Sequence, residues 1–198
     1  AIRRGTSIYV TDRVVPMLPF SLSNGICSLN PNVDRLTISC IMHVNLLGEV
    51  TSSTITPSII RSKHRLTYTY VNEVIQRNHA QNELESTLLC MHELSKIIRQ
   101  RRDERGALDL SVPEIKIEVD ADGKAIGVHK KIQKEGEKLI EDFMILANET
   151  VAETIHKRNL PFIYRIHEQP KVRKLESWMS FTSRMGEPIH FSPLQVKP

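Results

Sequence analysis

The acids, histidines and cysteines of this 198-residue sequence are spread too thinly to draw a catalytic centre on their own. Two-metal phosphoryl chemistry needs several carboxylates converging from a short loop. Close acid pairs outside a long predicted helix include Asp103-Glu104, in a charged helix end, and Asp120 with Asp122, in a hairpin-turn pattern. Cys40-x-x-His43 and the Cys90/His92 pair are half-sites at best, because a structural zinc ion takes four ligands from two such pairs. No Walker-type glycine loop and no Gly-x-Ser-x-Gly elbow is present.

Basic and aromatic groupings are better represented. Arg61-Ser62-Lys63-His64-Arg65 runs closely into Tyr68 and Tyr70, and Arg99-Gln100-Arg101-Arg102 closes a helical pattern. Cations beside aromatic rings suit a phosphate backbone and stacked bases, although a solvated helix face with two core tyrosines has the same pattern. Glu141 and Asn148 stand seven residues apart on one flank of an apolar helical stripe, where they could line a cavity or bond neighbouring backbone. Arg165-x-His167-Glu168-x-Pro170 is a polar cluster just ahead of a helix, equally suited to helix entry.

The elements that must position these groups follow from periodicity. Residues 1–31 are punctuated by Pro16, Pro19, Asn24-Gly25 and Pro31, so turns and extended backbone are expected. Val14, Val15, Met17, Leu18 and Leu22 suggest a buried path for them. Residues 33–60 read as a hairpin. Leu36, Ile38, Cys40 and Met42 alternate against Arg35, Thr37 and Ser39, and Pro57 falls near the end of the returning strand or at a bulge. Helices are predicted from about Ser62 to Gln76, with Leu66, Tyr70 or Thr69, Val74 and Tyr68 as its inward candidates, and then over a stripe of Leu84, Leu88, Met91, Leu94 or Ser95, and Ile98 that Gly106 can end. The intervening 77–82 is polar and expected to be mobile. Short strands are predicted at 108–110, 115–119 and 125–132. A long helix is predicted at Lys134 to about Lys157, with a stripe of Leu139, Ile140, Phe143, Leu146, Ala147, Val151 and Ile155. Pro170 opens a last helix to about Met185, and the proline-rich tail from Glu187 is expected to be loop or frayed. Helices mixed with short, mostly antiparallel strands define an α+β, or mixed α/β, unit.

The totals bound the classes. Hydrophobic residues make up 40% and charged residues 25%, ordinary for a globular chain, and the net charge of +4 permits an anionic partner without requiring one. Three widely spaced cysteines fit free thiols in a reducing cytoplasm. No run approaches the ~20 apolar residues of a membrane-spanning helix.

One string follows neither a helical nor a strand period. Arg4-Gly5-Thr6-Ser7-Ile8-Tyr9 continues through Val14-Val15-Pro16-Met17-Leu18-Pro19 to Leu22-Ser23-Asn24-Gly25-Ile26-Cys27-Ser28-Leu29. Further blocks follow in order: Arg61-Ser62-Lys63-His64-Arg65-Leu66-Thr67-Tyr68; Arg105-Gly106-Ala107-Leu108-Asp109 with Pro113-Glu114; residues 139–148, reading LIEDFMILAN; and residues 162–170, reading FIYRIHEQP. Together they resemble the RNB catalytic domain of the ribonuclease II and ribonuclease R family, with the bacterial ribonuclease R branch the nearer likeness.

The resemblance implies an RNB-type fold, a mixed and mostly antiparallel sheet packed with helices, of which residues 1–198 are a central part. It implies a processive 3′-to-5′ exoribonuclease that hydrolyses single-stranded RNA to nucleoside 5′-monophosphates with Mg²⁺. It places the metal-holding aspartates ahead of the Arg-Gly-Thr-Ser block and a phosphate-contacting arginine beyond residue 198. These residues alone are then expected to hold no metal and to be inactive. The implied setting is the cytoplasm, with cold-shock and S1-type RNA-binding domains as companions. Tyr9 matches the family tyrosine that stacks near the RNA 3′ end and helps set product size. Arg61, Arg65, Glu141, Asn148, Arg165 and His167 match family blocks without individual tasks. The alternative is a non-catalytic RNA-binding protein of the same fold.

Overall fold

The computed structural model describes residues 5–11, 13–107, 114–166, 168 and 170–189, with the side chain of Glu114 outside that set. The chain divides into two units, Ala1–Thr154 and Ile155–Pro198. Elements follow in the order β1 (Ile8–Tyr9), β2 (Val14–Val15), a π-helix (Ser21–Ile26), β3 (Asp34–Val44), β4 (Val50–Arg61), α1 (Tyr68–Arg77), α2 (Glu83–Glu104), β5 (Glu114–Val119), β6 (Ala125–Lys131), α3 (Glu135–Lys157) and α4 (Val172–Arg184). Among the described residues the strands form three separate two-stranded antiparallel ribbons, β1–β2, β3–β4 and β5–β6. The expected strand at 108–110 lies outside the described residues.

The β3–β4 hairpin pairs Asp34 with Arg61 through to Val44 with Val50. Pro57 is neither terminal nor bulged. It stands opposite Ile38, and the register shift falls at His43/Val44 instead. A two-stranded ribbon gives every strand a free edge, so a residue without an N–H is tolerated mid-strand. Over residues 35–39 the apolar face is the open one: Leu36 is 86% and Ile38 80% exposed, whereas Arg35, Thr37 and Ser39 are half-buried; from Cys40 the phase reverses, with Cys40 and Met42 half-buried and Ile41 exposed. Thr37 Oγ1 and Ser39 Oγ both bond Ser58 Oγ, at 2.8 and 2.6 Å, so the polar side is held by a hydroxyl ladder.

The helix expected from Ser62 begins only at Tyr68. Ser62 is engaged in a parallel bridge to Pro31, and its carbonyl accepts from Asn32 N–H at 2.7 Å, which keeps the backbone extended. Thr67 is then the N-cap, accepting from Tyr70 N–H at 3.3 Å. Tyr68 and Leu66 are exposed, not inward, and the buried residues of α1 are Val71 and Val74. Both pack with Leu88 of α2, and Ile98, Leu139 and Leu146 complete the buried apolar set.

The buried face of α2 is Glu85, Leu88, His92, Ser95 and Ile98: it shares Leu88, Ile98 and the Ser95 alternative with the stripe read from the sequence, and has the neighbouring Glu85 and His92 in place of Leu84 and Met91. That of α3 is Gly136, Leu139, Asp142, Leu146 and Thr150, with Ile140 exposed. Gly136 permits a close approach. A Cβ there would lie 3.1 Å from Asn72 Oδ1 and 3.3 Å from Val71 Cγ1, and its N–H donates to Asn72 Oδ1 at 2.8 Å. Segment 77–82 is tied down, not loose: Arg77 donates to Glu85 Oε2 at 2.6 Å and Gln81 N–H to the same oxygen at 2.7 Å.

The path expected to be buried over residues 14–22 is open as well. Val14, Leu18 and Leu22 are exposed, and Val15 and Met17 are half-buried. In the second unit α4 starts two residues after Pro170, with Lys171 as N-cap.

Candidate nucleic-acid interface

Tyr9 ends β1, in register with Val14 of β2. The ribbon closes through Val10 N–H to Arg13 C=O at 3.0 Å, and Met17 N–H donates to Ser7 Oγ at 3.0 Å. These bonds hold the strand while leaving the ring outside: Tyr9 is 78% exposed. A phenol presented on a braced two-residue strand can stack on a base without first leaving a core.

Arg61 closes β4 and is already paired, its Nε 2.6 Å from Asp34 Oδ1. The shared hydrogen bond lowers the Asp34 carboxyl pKa and raises that of Arg61. Arg65 is exposed in the extended 63–67 segment. Glu141 and Asn148 are exposed on α3. Glu141 accepts from Gln133 Nε2 at 2.7 Å and lies 4.0 Å from the Arg102 guanidinium. Arg165 is exposed in the second unit, and His167 lies outside the described residues. Among the described residues no hydrogen bond or ion pair joins Tyr9, Arg61, Arg65, Glu141, Asn148 and Arg165 to one another.

Sequence reading missed a buried polar array between α2 and α3. Asp142, 1% exposed, receives Arg99 Nε at 3.0 Å and has Arg102 NH1 at 3.3 Å. Arg99 also reaches Glu135 Oε2 at 3.1 Å, and His92 Nε2 lies 3.3 Å from the same oxygen. Burial pushes the Glu135 carboxyl up, but the Arg99 guanidinium with His92 outweighs it, and the carboxyl ends below its ordinary range. Burial likewise disfavours the Arg99 cation, and Asp142 and Glu135 more than offset it. A second array centres on Glu85, which is 3% exposed. The Gln81 N–H, Arg77 and the Tyr70 hydroxyl (2.9 Å) hold its carboxylate, lowering its pKa against burial, and the Tyr70 pKa rises in return. Glu85 was findable, since Asn82-x-x-Glu85 has capping-box spacing and Asn82 Oδ1 does accept from Glu85 N–H at 2.9 Å. Asp142 carries no such local signal.

The described residues do not fit the Mg²⁺ that the resemblance implies. Among them no group of three or more His, Cys, Asp or Glu side chains is placed to hold a metal ion. Asp142 is committed to two guanidinium groups, and Asp120 Oδ1 accepts from the backbone of Asp122 and Lys124 at 3.0 and 2.8 Å. Cys27, Cys40 and Cys90 are free thiols. No described helix is long and apolar enough to cross a membrane.

The chain matches the family model of the RNB domain over residues 1–195. The chain belongs to the RNB domain family. Within it, the chain is 46% identical over 193 residues to Ribonuclease R 1 of Lactococcus lactis, covering 96% of this chain and 24% of that protein. It is 42% identical over 196 residues to Ribonuclease R of Thermotoga maritima, covering 97% and 28%. The solved structure of apo Mycoplasma genitalium RNase R superposes with a TM-score of 0.89 at 32% identity, covering 97% of this chain and 31% of that one. The same enzyme has been solved with ribose-methylated single-stranded RNA and with double-stranded RNA. The chain thus spans roughly a quarter of the length of the curated relatives it matches.

Proposed function

We propose that this chain is part of a cytoplasmic 3′-to-5′ exoribonuclease that degrades single-stranded RNA processively to nucleoside 5′-monophosphates. The observation that carries the reading is the RNB match over residues 1–195, with ribonuclease R proteins at 42–46% identity over nearly the whole chain. The residues here contribute wall and substrate contacts. Tyr9, outside any core and braced by the β1–β2 ribbon, stacks near the RNA 3′ end. Arg65 and Arg165 offer cations to phosphate. Mg²⁺ is held by carboxylates other than those described, so these 198 residues alone release no monophosphate, and companion cold-shock and S1-type domains deliver the strand.

The test is Tyr9→Ala in the active enzyme, read on a 5′-labelled single strand. Base–aromatic stacking is worth about 1–3 kcal/mol, so the final product changes length while the cleavage rate changes less. An unchanged product ladder removes Tyr9 from the RNA path. Robust monophosphate release by the 198 residues alone, with Mg²⁺, contradicts the placement of the metal ligands.

A further inference from the structure

Arg35 is a half-buried cation directed at backbone, not at a carboxylate. Its neighbour Asp34 has its carboxylate on Arg61. The Arg35 guanidinium instead donates from Nε to Ser28 C=O at 2.8 Å, from Nη2 to Gly25 C=O at 3.3 Å and from Nη1 to Asp34 C=O at 3.1 Å. The first two bonds run from β3 back to the π-helix and the turn that follows it, seven and ten residues up the chain. Both carbonyls also accept a backbone N–H, Gly25 from Ser28 at 3.2 Å and Ser28 from Asn30 at 2.9 Å. A carbonyl oxygen has two lone pairs, so the guanidinium fork closes over a turn that is folded without it.

Apolar burial does not hold that segment. The π-helix has no buried residue, and Phe20, Ile26 and Leu29 are exposed. The half-buried positions over residues 21–30 are Ser23, Gly25, Ser28 and Asn30, none of them with an apolar side chain. Charge-assisted hydrogen bonds from Arg35 therefore act where packing usually would. Bonded turns also join this segment to Tyr9. Pro19 C=O accepts from Leu22 and Ser23 N–H at 2.9 and 3.0 Å, and Met17 N–H donates to Ser7 Oγ at 3.0 Å. Tyr9 is in turn paired with Val14. Pro16 and Pro19 each restrict φ to about −65° along the way.

We infer that Arg35 is a positioning residue for Tyr9. Its fork fixes residues 19–30 on the β3–β4 ribbon, and through them it sets where the Tyr9 ring meets the RNA 3′ end. Arg35 itself touches no RNA. The inference rests on the stacking reading above and adds a residue that acts on it from inside the fold.

The test is Arg35→Gln in the active enzyme, which removes the fork and keeps a polar side chain. On a 5′-labelled single strand the final product should change length in the same direction as in Tyr9→Ala. Amide hydrogen exchange over residues 21–30 should quicken about tenfold or more. Combined with Tyr9→Ala, Arg35→Gln should add no further shift. The slope of log K against log salt for RNA binding should match the parent's. Ser7→Ala, which deletes the acceptor of Met17 N–H, should move the ladder the same way, and it decides the matter if Arg35→Gln loses its far-UV circular dichroism. A parent ladder in Arg35→Gln, or in Ser7→Ala where the first does not fold, overturns the inference and leaves the stacking reading standing, provided Tyr9→Ala shifts the ladder. Additive shifts in the double variant overturn it as well. A salt slope flattened by about 1 makes Arg35 a phosphate contact and overturns it. A parent ladder in Tyr9→Ala defeats the stacking reading and the inference together.

Discussion

Removing the Asp142 carboxylate should be the most damaging single change to the helical core of the first unit. Asp142 is 1% exposed, and the side chains of Arg99 and Arg102 retain only 20% and 21% of their exposure. Asp142→Ala leaves two guanidinium groups of α2, one turn apart, facing α3 without their shared carboxylate, with Glu135 and Glu141 as their only remaining described carboxylates. Breaking a buried ion pair by deleting one partner costs about 3–5 kcal/mol, because the surviving charge stays out of water. That is a large share of a typical total of about 5–15 kcal/mol. With a urea m-value of about 2 kcal/mol/M, the midpoint should fall by about 1.5–2.5 M. Far-UV circular dichroism is the right probe, since α1, α2 and α3 dominate it and the lone Trp178 sits in the other unit. Asp34→Ala is the internal control. It breaks a still shorter ion pair, 2.6 Å, whose side chains are 61% and 57% exposed, and it should leave the midpoint unmoved. Equal effects of the two variants, or a loss under about 1 kcal/mol for Asp142→Ala, would refute the claim that burial sets the worth of these pairs.

Two further outcomes follow from the same geometry. Because the Glu135 carboxyl is held below its ordinary value, its contribution to stability is present above the unfolded-state pKa and is lost as pH falls through the folded one. Glu135→Gln should therefore be destabilised at neutral pH, and in urea melts the deficit should begin to shrink only below about pH 4 and close as pH falls through the lowered folded-state value; a deficit independent of pH contradicts the charge argument. Gly48 is buried at φ +73°, and a Cβ there would meet Ile97 Cγ2 and the Ile97 carbonyl oxygen, both at 3.2 Å. Gly48→Ala should cost about 1–3 kcal/mol from the left-handed backbone alone, read as a lower melting midpoint, and a neutral substitution would show that the β3–β4 turn does not rest on α2.

Alternation in the β3 sequence separated two faces over residues 35–39, before the burial phase reverses at Cys40, but could not say which one the protein covers. A period of two assigns Leu36 and Ile38 to one side and Thr37 and Ser39 to the other. Which side packs depends on what lies next to the ribbon in space. Here the half-buried side is the hydroxyl ladder through Ser58, and the apolar side is open. Local chemistry was read better where a cap decides the matter. Gly106 ends α2 at φ +93° as expected, whereas the Ser62 helix start failed because the competing bridge to Pro31 is made with residues 31 positions away.

The same distinction governs the polar residues. Helical periodicity rewards apolar side chains, so it placed Leu88, Ile98 and the Ser95 alternative correctly but selected Leu84 and Met91 and passed over the neighbouring Glu85 and His92, which are buried. A buried carboxylate becomes tolerable only through its partner, and Arg99 and Asp142 lie 43 residues apart. Charge counting along the chain therefore overstates what Arg99, Arg101 and Arg102 can offer a ligand. These three form the densest arginine cluster in the sequence, yet all are within 4.0 Å of carboxylates. An internal pair must be broken before such a cation can meet a phosphate, whereas an exposed cation outside any described ion pair, such as Arg65, would meet it from water. Where this chain holds an anion is thus decided by which cations the fold leaves unspent, and that allocation is a property of the tertiary structure.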